Sequence, residues 1–226
     1  MTRRVAITRA MPEAERTAER VRSRGCEPVL APLLTIIPCG YDTSTEGAQA
    51  LVFTSSNGVR AFPDARGARE KTVLAVGDAT AEAARAAGFA DVRTAAGDVA
   101  ALAELAKATL DPRAGKLIHI GGNHVAGDLA GALAAHGFQV ERRVAYAAIA
   151  AAVLPEGFLG PLDIVLFHSV RAAETFLALG APRSERLVAG CISPAVAEAA
   201  AKTAWREIVV APAPREDAML SATLRV

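Results

Sequence analysis

The sequence is poor in aromatic residues: they make up 4% of its 226 positions, while hydrophobic residues of all kinds reach 52%. A core of Ala, Val and Leu is therefore expected, in a chain long enough for one large domain or two small ones. An excess of one charge is missing too. Lys plus Arg total 25 against 24 Asp plus Glu, a formal net charge of +1, and no basic block marks a nucleic-acid footprint. Three cysteines, Cys26, Cys39 and Cys191, are an odd number without C-x-x-C spacing. They argue against a disulfide framework and read as small buried residues. No run of about 18 apolar residues appears, which argues against a membrane helix, and "MTRRVAIT" has no apolar signal-peptide core. A reducing cytoplasm is the expected setting.

Familiar catalytic patterns are also missing. "GGNHVAG" is neither G-x-G-x-x-G nor a phosphate loop ending in Gly-Lys-Ser/Thr, so a nicotinamide or nucleotide site is not expected. The four histidines, His119, His124, His136 and His168, show no ligand spacing, and no metal is expected. There is no G-x-S-x-G elbow. What remains for a site is hydroxyls, amides and backbone donors.

Short apolar runs alternate with Ala-rich, helix-like stretches, which predicts an α/β fold with parallel sheets. "RVAIT" reads as a strand, "PEAERTAERVRSRG" as a helix with Ala14, Ala18 and Val21 on one face and Gly25 as its stop. "ALVFTS", "TVLAVG" and "DVRTA" read as strands, with helices over 78–88 and near 99–110. At Lys116 the series restarts with "KLIHIGG", a helix ending at Gly137, and "FQVERRVAY". Gly25 and Gly137 lie 112 positions apart, Ser55 and Ser169 114, and the "AEAA" stretches at Ala81 and Ala197 116. Three landmarks in order at nearly one offset indicate a duplicated unit of about 110 residues. The second strand of each copy, "PVLAPLLTIIPCG" and "QVERRVAYAAIAAAV", reads as extended for about ten residues or more, where about five or six is usual. Strands that long are expected to leave one domain and enter the other.

Ligands of such folds gather at the carboxyl ends of strands. The polar turns lie there: Thr54, Ser55, Ser56, Asn57 and Gly58; Gly77, Asp78 and Thr80; Gly121, Gly122 and Asn123; Ser169 and Arg171. Each joins a strand to a helix start, where unpaired N–H groups bind phosphate or carboxylate. The same residues also serve as plain helix caps. Tyr146, inside the second long strand, is either a proton donor at neutral pH or a packed aromatic. Tyr41 and Trp205 read as packing residues.

Taken together, "AITRA", "GCEPVLAPLLTI", "LVFTSSNGV", "AVGDATAEAA", "GGN" before a helix, "VAY", "DIVLFHSVRAAETF" and "ISPAVAEAA" make the chain resemble the uroporphyrinogen-III synthase family over nearly its whole length. The resemblance implies two similar flavodoxin-like or Rossmann-like α/β domains joined by a two-stranded β linker. One domain would be 1–32 plus 148–226, the other 39–141, and the linker strands 33–38 and 142–147. It implies a cofactor-free lyase of porphyrin and heme biosynthesis. Such an enzyme, acting as a monomer, would bind hydroxymethylbilane, an open chain of four pyrroles with eight carboxylates, and close it with inversion of the terminal ring. Tyr146 matches the family tyrosine suspected of protonating the departing hydroxyl, and is the candidate general acid. Thr80 matches a threonine of a "G-x-x-T" turn, and Ser55 and Ser169 the serines after the two central strands. Arg9, in "AITRA", joins the turn residues as a candidate for substrate binding. Ala10, Val170, Ser193 and Val196 depart from the family pattern, so the second half's rim is the less typical one. The competing expectation is a two-domain protein that closes around a small polycarboxylate or other anion without reacting.

Overall fold

The computed structural model describes residues 2–62, 67–95, 97–124 and 127–225. In chain order the first part contains β1 (Arg4–Ile7), α1 (Glu13–Arg22), β2 (Glu27–Leu30), β3 (Leu34–Pro38), β4 (Ala48–Phe53), α2 (Ser56–Ala61), β5 (Thr72–Ala75), α3 (Asp78–Ala86), β6 (Val92–Thr94) and α4 (Val99–Thr109). The rest contains β7 (Lys116–Gly122), α5 (Leu129–Ala134), β8 (Val140–Ala150), β9 (Ile164–Phe167), α6 (Val170–Ala178), β10 (Val188–Cys191), α7 (Pro194–Ala200), β11 (Glu207–Val210) and α8 (Glu216–Thr223). The chain divides into two compact units, Met1–Ile36 with Ile149–Val226, and Ile37–Ala148. The division falls within β3 and β8.

The first unit is built on a five-stranded sheet ordered β2-β1-β9-β10-β11, with parallel pairing throughout. This is the 2-1-3-4-5 order of flavodoxin-like folds. The runs "VAI", "IVLF" and "VAGC" are apolar at consecutive positions because both sheet faces are covered. Alternation sorts them. Ala6, Val165, Phe167, Ala189 and Cys191 face Phe176 of α6 and Ala199 and Ala200 of α7. Val5, Ile7, Ile164, Leu166 and Val188 face Ala14, Ala18 and Val21 of α1 and Met219 and Leu220 of α8. Each fully buried Phe or Leu contributes roughly 1.5–3 kcal/mol. Trp205 stacks on Phe176 at 5.5 Å and meets Phe167 edge-on at 5.7 Å, while its indole N–H donates to the Ala200 carbonyl. It is a packing residue, as expected.

The second unit carries a sheet ordered β3-β8-β7-β4-β5-β6. Leaving aside β3, it repeats the first sheet strand for strand: β8 takes the place of β2, β7 of β1, and β4, β5 and β6 those of β9, β10 and β11. The sequence offset is therefore a topological one. Each sheet draws strands from both halves of the chain, and the repeated glycines Gly25 (φ 74°) and Gly137 (φ 84°) both follow helices in the left-handed conformation that favours glycine. One face of this sheet packs Ala50, Val52, Leu74 and Leu117 against Leu102, Ala103 and Ala106 of α4 and Leu129 and Leu133 of α5. Phe53, Phe62 and Phe89 form a ring cluster with centroids 6.0–6.2 Å apart. The Tyr41 hydroxyl donates to the Ala61 carbonyl at 3.0 Å, and burial pushes its pKa up to about 12 against the opposing charge of Arg143.

Two expectations need correction. "PVLAPLLTIIPCG" is not one long strand: it breaks at Ala31–Leu33 into β2 and β3, which lie in different sheets. Pro32 has no N–H to give to a ladder; its neighbours Ala31 and Leu33 donate to Ile7 and Thr8 before the chain turns away. Its counterpart β8 is a single strand of 11 residues. Of the three cysteines, Cys26 and Cys191 are buried, but Cys39 is only half-buried.

Candidate functional site

In a 2-1-3-4-5 sheet the crevice for a ligand opens beyond the carboxyl ends of the two strands where the order reverses. In the second unit these strands are β7 and β4. β4 delivers Thr54 and Ser55, and β7 ends in Gly121 and Gly122 followed by Asn123. Thr54 is tied across the crevice to the imidazole of His119, Oγ1 to Nε2 at 3.1 Å. His119 is buried in β7; burial, helped by the charge of Arg142, lowers its pKa to about 4, so the ring is neutral at physiological pH.

The β7–β8 edge of the crevice is braced by backbone. Gly122 and Tyr146 are register partners, Asn123 N–H donates to the Tyr146 carbonyl at 2.9 Å, and Ala148 N–H donates to Asn123 Oδ1 at 3.2 Å. Arg142 donates to the Gly122 carbonyl at 2.6 Å. Tyr146 is 8% exposed and its ring packs on Gly122. Thr54, Gly121, Gly122, Asn123 and Tyr146 are thus one cluster.

The other turn residues are spent largely on local structure. Ser55 Oγ accepts from Asn57 N–H at 3.1 Å as the cap of α2, and Arg60 donates to Asn57 Oδ1 at 2.6 Å and to Ser56 Oγ at 3.3 Å. Gly58 lies hard against the Ile120 carbonyl of β7, closing the helix onto the sheet. On the neighbouring strand Gly77 caps α3 without a side-chain bond, Asp78 opens the helix, and Thr80 is buried.

Arg9, Ser169 and Arg171 belong to the first unit, whose reversal point lies between β1 and β9. Ser169 Oγ accepts from Ala172 N–H at 3.2 Å and caps α6. Arg171 has a buried Nη1 with no hydrogen-bond partner among the described residues. Thr8 Oγ1 donates to the Leu166 carbonyl at 2.6 Å and locks the two strand ends together. Arg9 Nη1 donates to Glu216 Oε1 at 2.9 Å, and His168 Nε2 lies 3.0 Å from the same oxygen.

Sequence reasoning missed His119, Arg142, His168 and Glu216. The histidines show no metal spacing and carry no other sequence signal, although His119 lies inside a repeated strand and His168 directly follows one; Glu216 has no signal, since its partners lie far away in the chain. Among the described residues no three His, Cys, Asp or Glu side chains come together as a metal site, and no helix is long and apolar enough to cross a membrane.

Two flavodoxin-like α/β units with polar rims at their strand-reversal points define the class: a duplicated, doubly wound protein of the kind that holds ligands at strand ends. The model of the family "uroporphyrinogen-III synthase HemD" matches residues 15–221, and the chain belongs to that family. It is accordingly an enzyme of heme biosynthesis. Among solved structures, uroporphyrinogen-III synthetase from Helicobacter pylori 26695 superposes with a TM-score of 0.65 at 17% identity, covering 98% of this chain and 97% of that one. A mutant uroporphyrinogen III synthase from the extremely thermophilic bacterium Thermus thermophilus gives 0.57 at 20% identity, covering 97% and 96%. At these identities the likeness is one of fold. No curated protein matches the sequence.

Proposed function

We propose that the chain acts as a lyase that closes hydroxymethylbilane with inversion of the terminal pyrrole to give uroporphyrinogen III, as a cytoplasmic monomer without cofactor. The observation that carries this reading beyond family membership is the crevice of the second unit. There Thr54 at the end of β4, Gly122 and Asn123 at the end of β7, and Tyr146 of the adjoining β8 sit on neighbouring strands, with the Arg142 guanidinium donating to the Gly122 carbonyl. Hydroxyl and amide donors suit the acid arms of the bilane. The phenol of Tyr146 gives its proton to the departing hydroxyl, which leaves as water with the C–O electron pair. The far ring then attacks the exposed carbon, passes through a spiro intermediate and inverts, and the proton lost as the ring regains aromaticity restores the phenol. No electron is exchanged with an outside group. The enzyme's larger task is conformational, because the free bilane closes without inversion: both ends must be held in a near-attack geometry that favours the less obvious carbon.

Fresh hydroxymethylbilane supplied to the purified protein, followed by chromatography of the oxidised products, tests the reading. The expected product is the inverted isomer; formation of the non-inverted isomer alone overturns it.

A further inference from the structure

In the first unit one carboxylate collects four donors from three directions. Glu216 opens α8; its Oε1 accepts from Arg9 Nη1 at 2.9 Å, from the Thr17 hydroxyl and from His168 Nε2 at 3.0 Å, and its Oε2 accepts from Arg20 Nη1 at 2.8 Å. Thr17 and Arg20 come from α1, Arg9 from the end of β1, and His168 from the end of β9. Burial alone pushes Glu216 upward, but the bond and charge of His168, the bond from Thr17 and the charge of Arg9 outweigh it and hold the pKa at about 2. The carboxylate is ionised. Burial pushes His168 the other way, toward the neutral ring, against the pull of Glu216. Nδ1 is the buried His168 atom without a partner among the described residues.

Arg9 spends one nitrogen on this hub. Its Nη1 serves Glu216 and, at 3.3 Å, Thr17; Nε and Nη2 have no partner among the described residues. The side chain is 24% exposed. A guanidinium pinned at one nitrogen keeps a second edge in fixed orientation, the geometry that binds a carboxylate through two parallel bonds. Charge agrees. Arg20 and Arg24 also pair with Asp217, at 3.6 and 3.4 Å, so three arginines face the two carboxylates Glu216 and Asp217.

We propose that Glu216 is a positioning residue: it holds Arg9 at the β1–β9 rim so that the free edge of the guanidinium receives a carboxylate arm of the substrate. This rests on the reading of the chain as a uroporphyrinogen-III synthase acting on a polycarboxylate. A purely structural Glu216 would lower thermal stability and leave substrate binding by the folded protein unchanged.

The experiment is a double-mutant cycle on the full chain with Glu216→Gln and Arg9→Ala, read as separate KM and kcat values for hydroxymethylbilane. Each single variant is expected to raise KM about tenfold with kcat within about twofold, since the lost contact serves ground and transition states alike. The double variant is expected to stay near tenfold rather than reach about a hundredfold, because both changes remove the same contact. Multiplicative effects overturn the proposal, as does a fall in KM for Glu216→Gln, which would mean that Glu216 competes with substrate for Arg9. If the Gln variant does not fold, by circular dichroism, Glu216→Asp keeps the charge on a shorter arm. An intermediate KM supports the proposal and an unchanged one overturns it. If the wild-type protein makes no inverted isomer, the functional reading fails on its own. Calorimetric affinities for hydroxymethylbilane across the same four proteins then report the coupling, and an additive cycle there overturns it.

Discussion

The ring of Tyr146 rests on Gly122 so closely that a Cβ on the glycine would come 2.7 Å from Cε2 and 3.1 Å from the phenol oxygen. A methyl group there forces the ring to move, and with it the hydroxyl. If the phenol supplies the proton for water loss, Tyr146→Phe is expected to reduce kcat by about 100-fold or more while leaving the melting temperature in place. Gly122→Ala is expected to reduce kcat by at least about tenfold. Single-turnover formation of uroporphyrinogen III measures both; unchanged turnover in the pair removes Tyr146 from the chemistry.

His119 makes stability depend on acid. Its pKa falls from 6.5 to about 4 on folding, so between these values the unfolded chain binds a proton that the folded chain refuses. Its contribution is whole above pH 6.5 and is lost as the pH drops toward 4, by about 3 kcal/mol. Urea unfolding at pH 7 and at pH 4.5 is expected to show a smaller loss for His119→Gln than for the wild-type protein. Equal losses would clear His119 of the effect.

Gly58 is a packing constraint of a harder kind. Its added Cβ would sit 2.6 Å from the backbone oxygen of Ile120 and 3.3 Å from the Phe53 ring. Backbone in a central strand does not yield as a side-chain tip does. Gly58→Ala is expected to destabilise the protein by about 1–3 kcal/mol, measured as a lowered midpoint in denaturant. The gain in helix propensity from Gly to Ala, at most about 1 kcal/mol, is too small to reverse the sign.

Much of the fold was legible because burial on both faces writes strands as unbroken apolar runs: "KLIHIGG" is β7 from end to end. The duplication was legible because β1 and β7, β4 and β9, and β5 and β10 hold matching places in their sheets. Pro32 was misjudged because an extended proline looks alike in a strand and in the break between two strands. Ser55 and Ser169 do follow β4 and β9, as their spacing predicts, but their hydroxyls are used as caps. His119 lay hidden in an apolar strand. Glu216 was one acid among 24, and only folding brings Arg9, Thr17, Arg20 and His168 to it.

The interleaved strand order also sets a schedule for synthesis. β1, a central strand, pairs Val5 with Ile164, whereas β4 through β8 form a continuous stretch of chain. On a ribosome adding about 5–20 residues per second, the inner segment has every neighbour it needs while the leading 36 residues still wait. For several seconds the buried residues Val5, Ala6 and Ile7 of β1 lack their β9 partner while the inner unit is already complete, and this interval is when a nascent chain of this design most needs a chaperone.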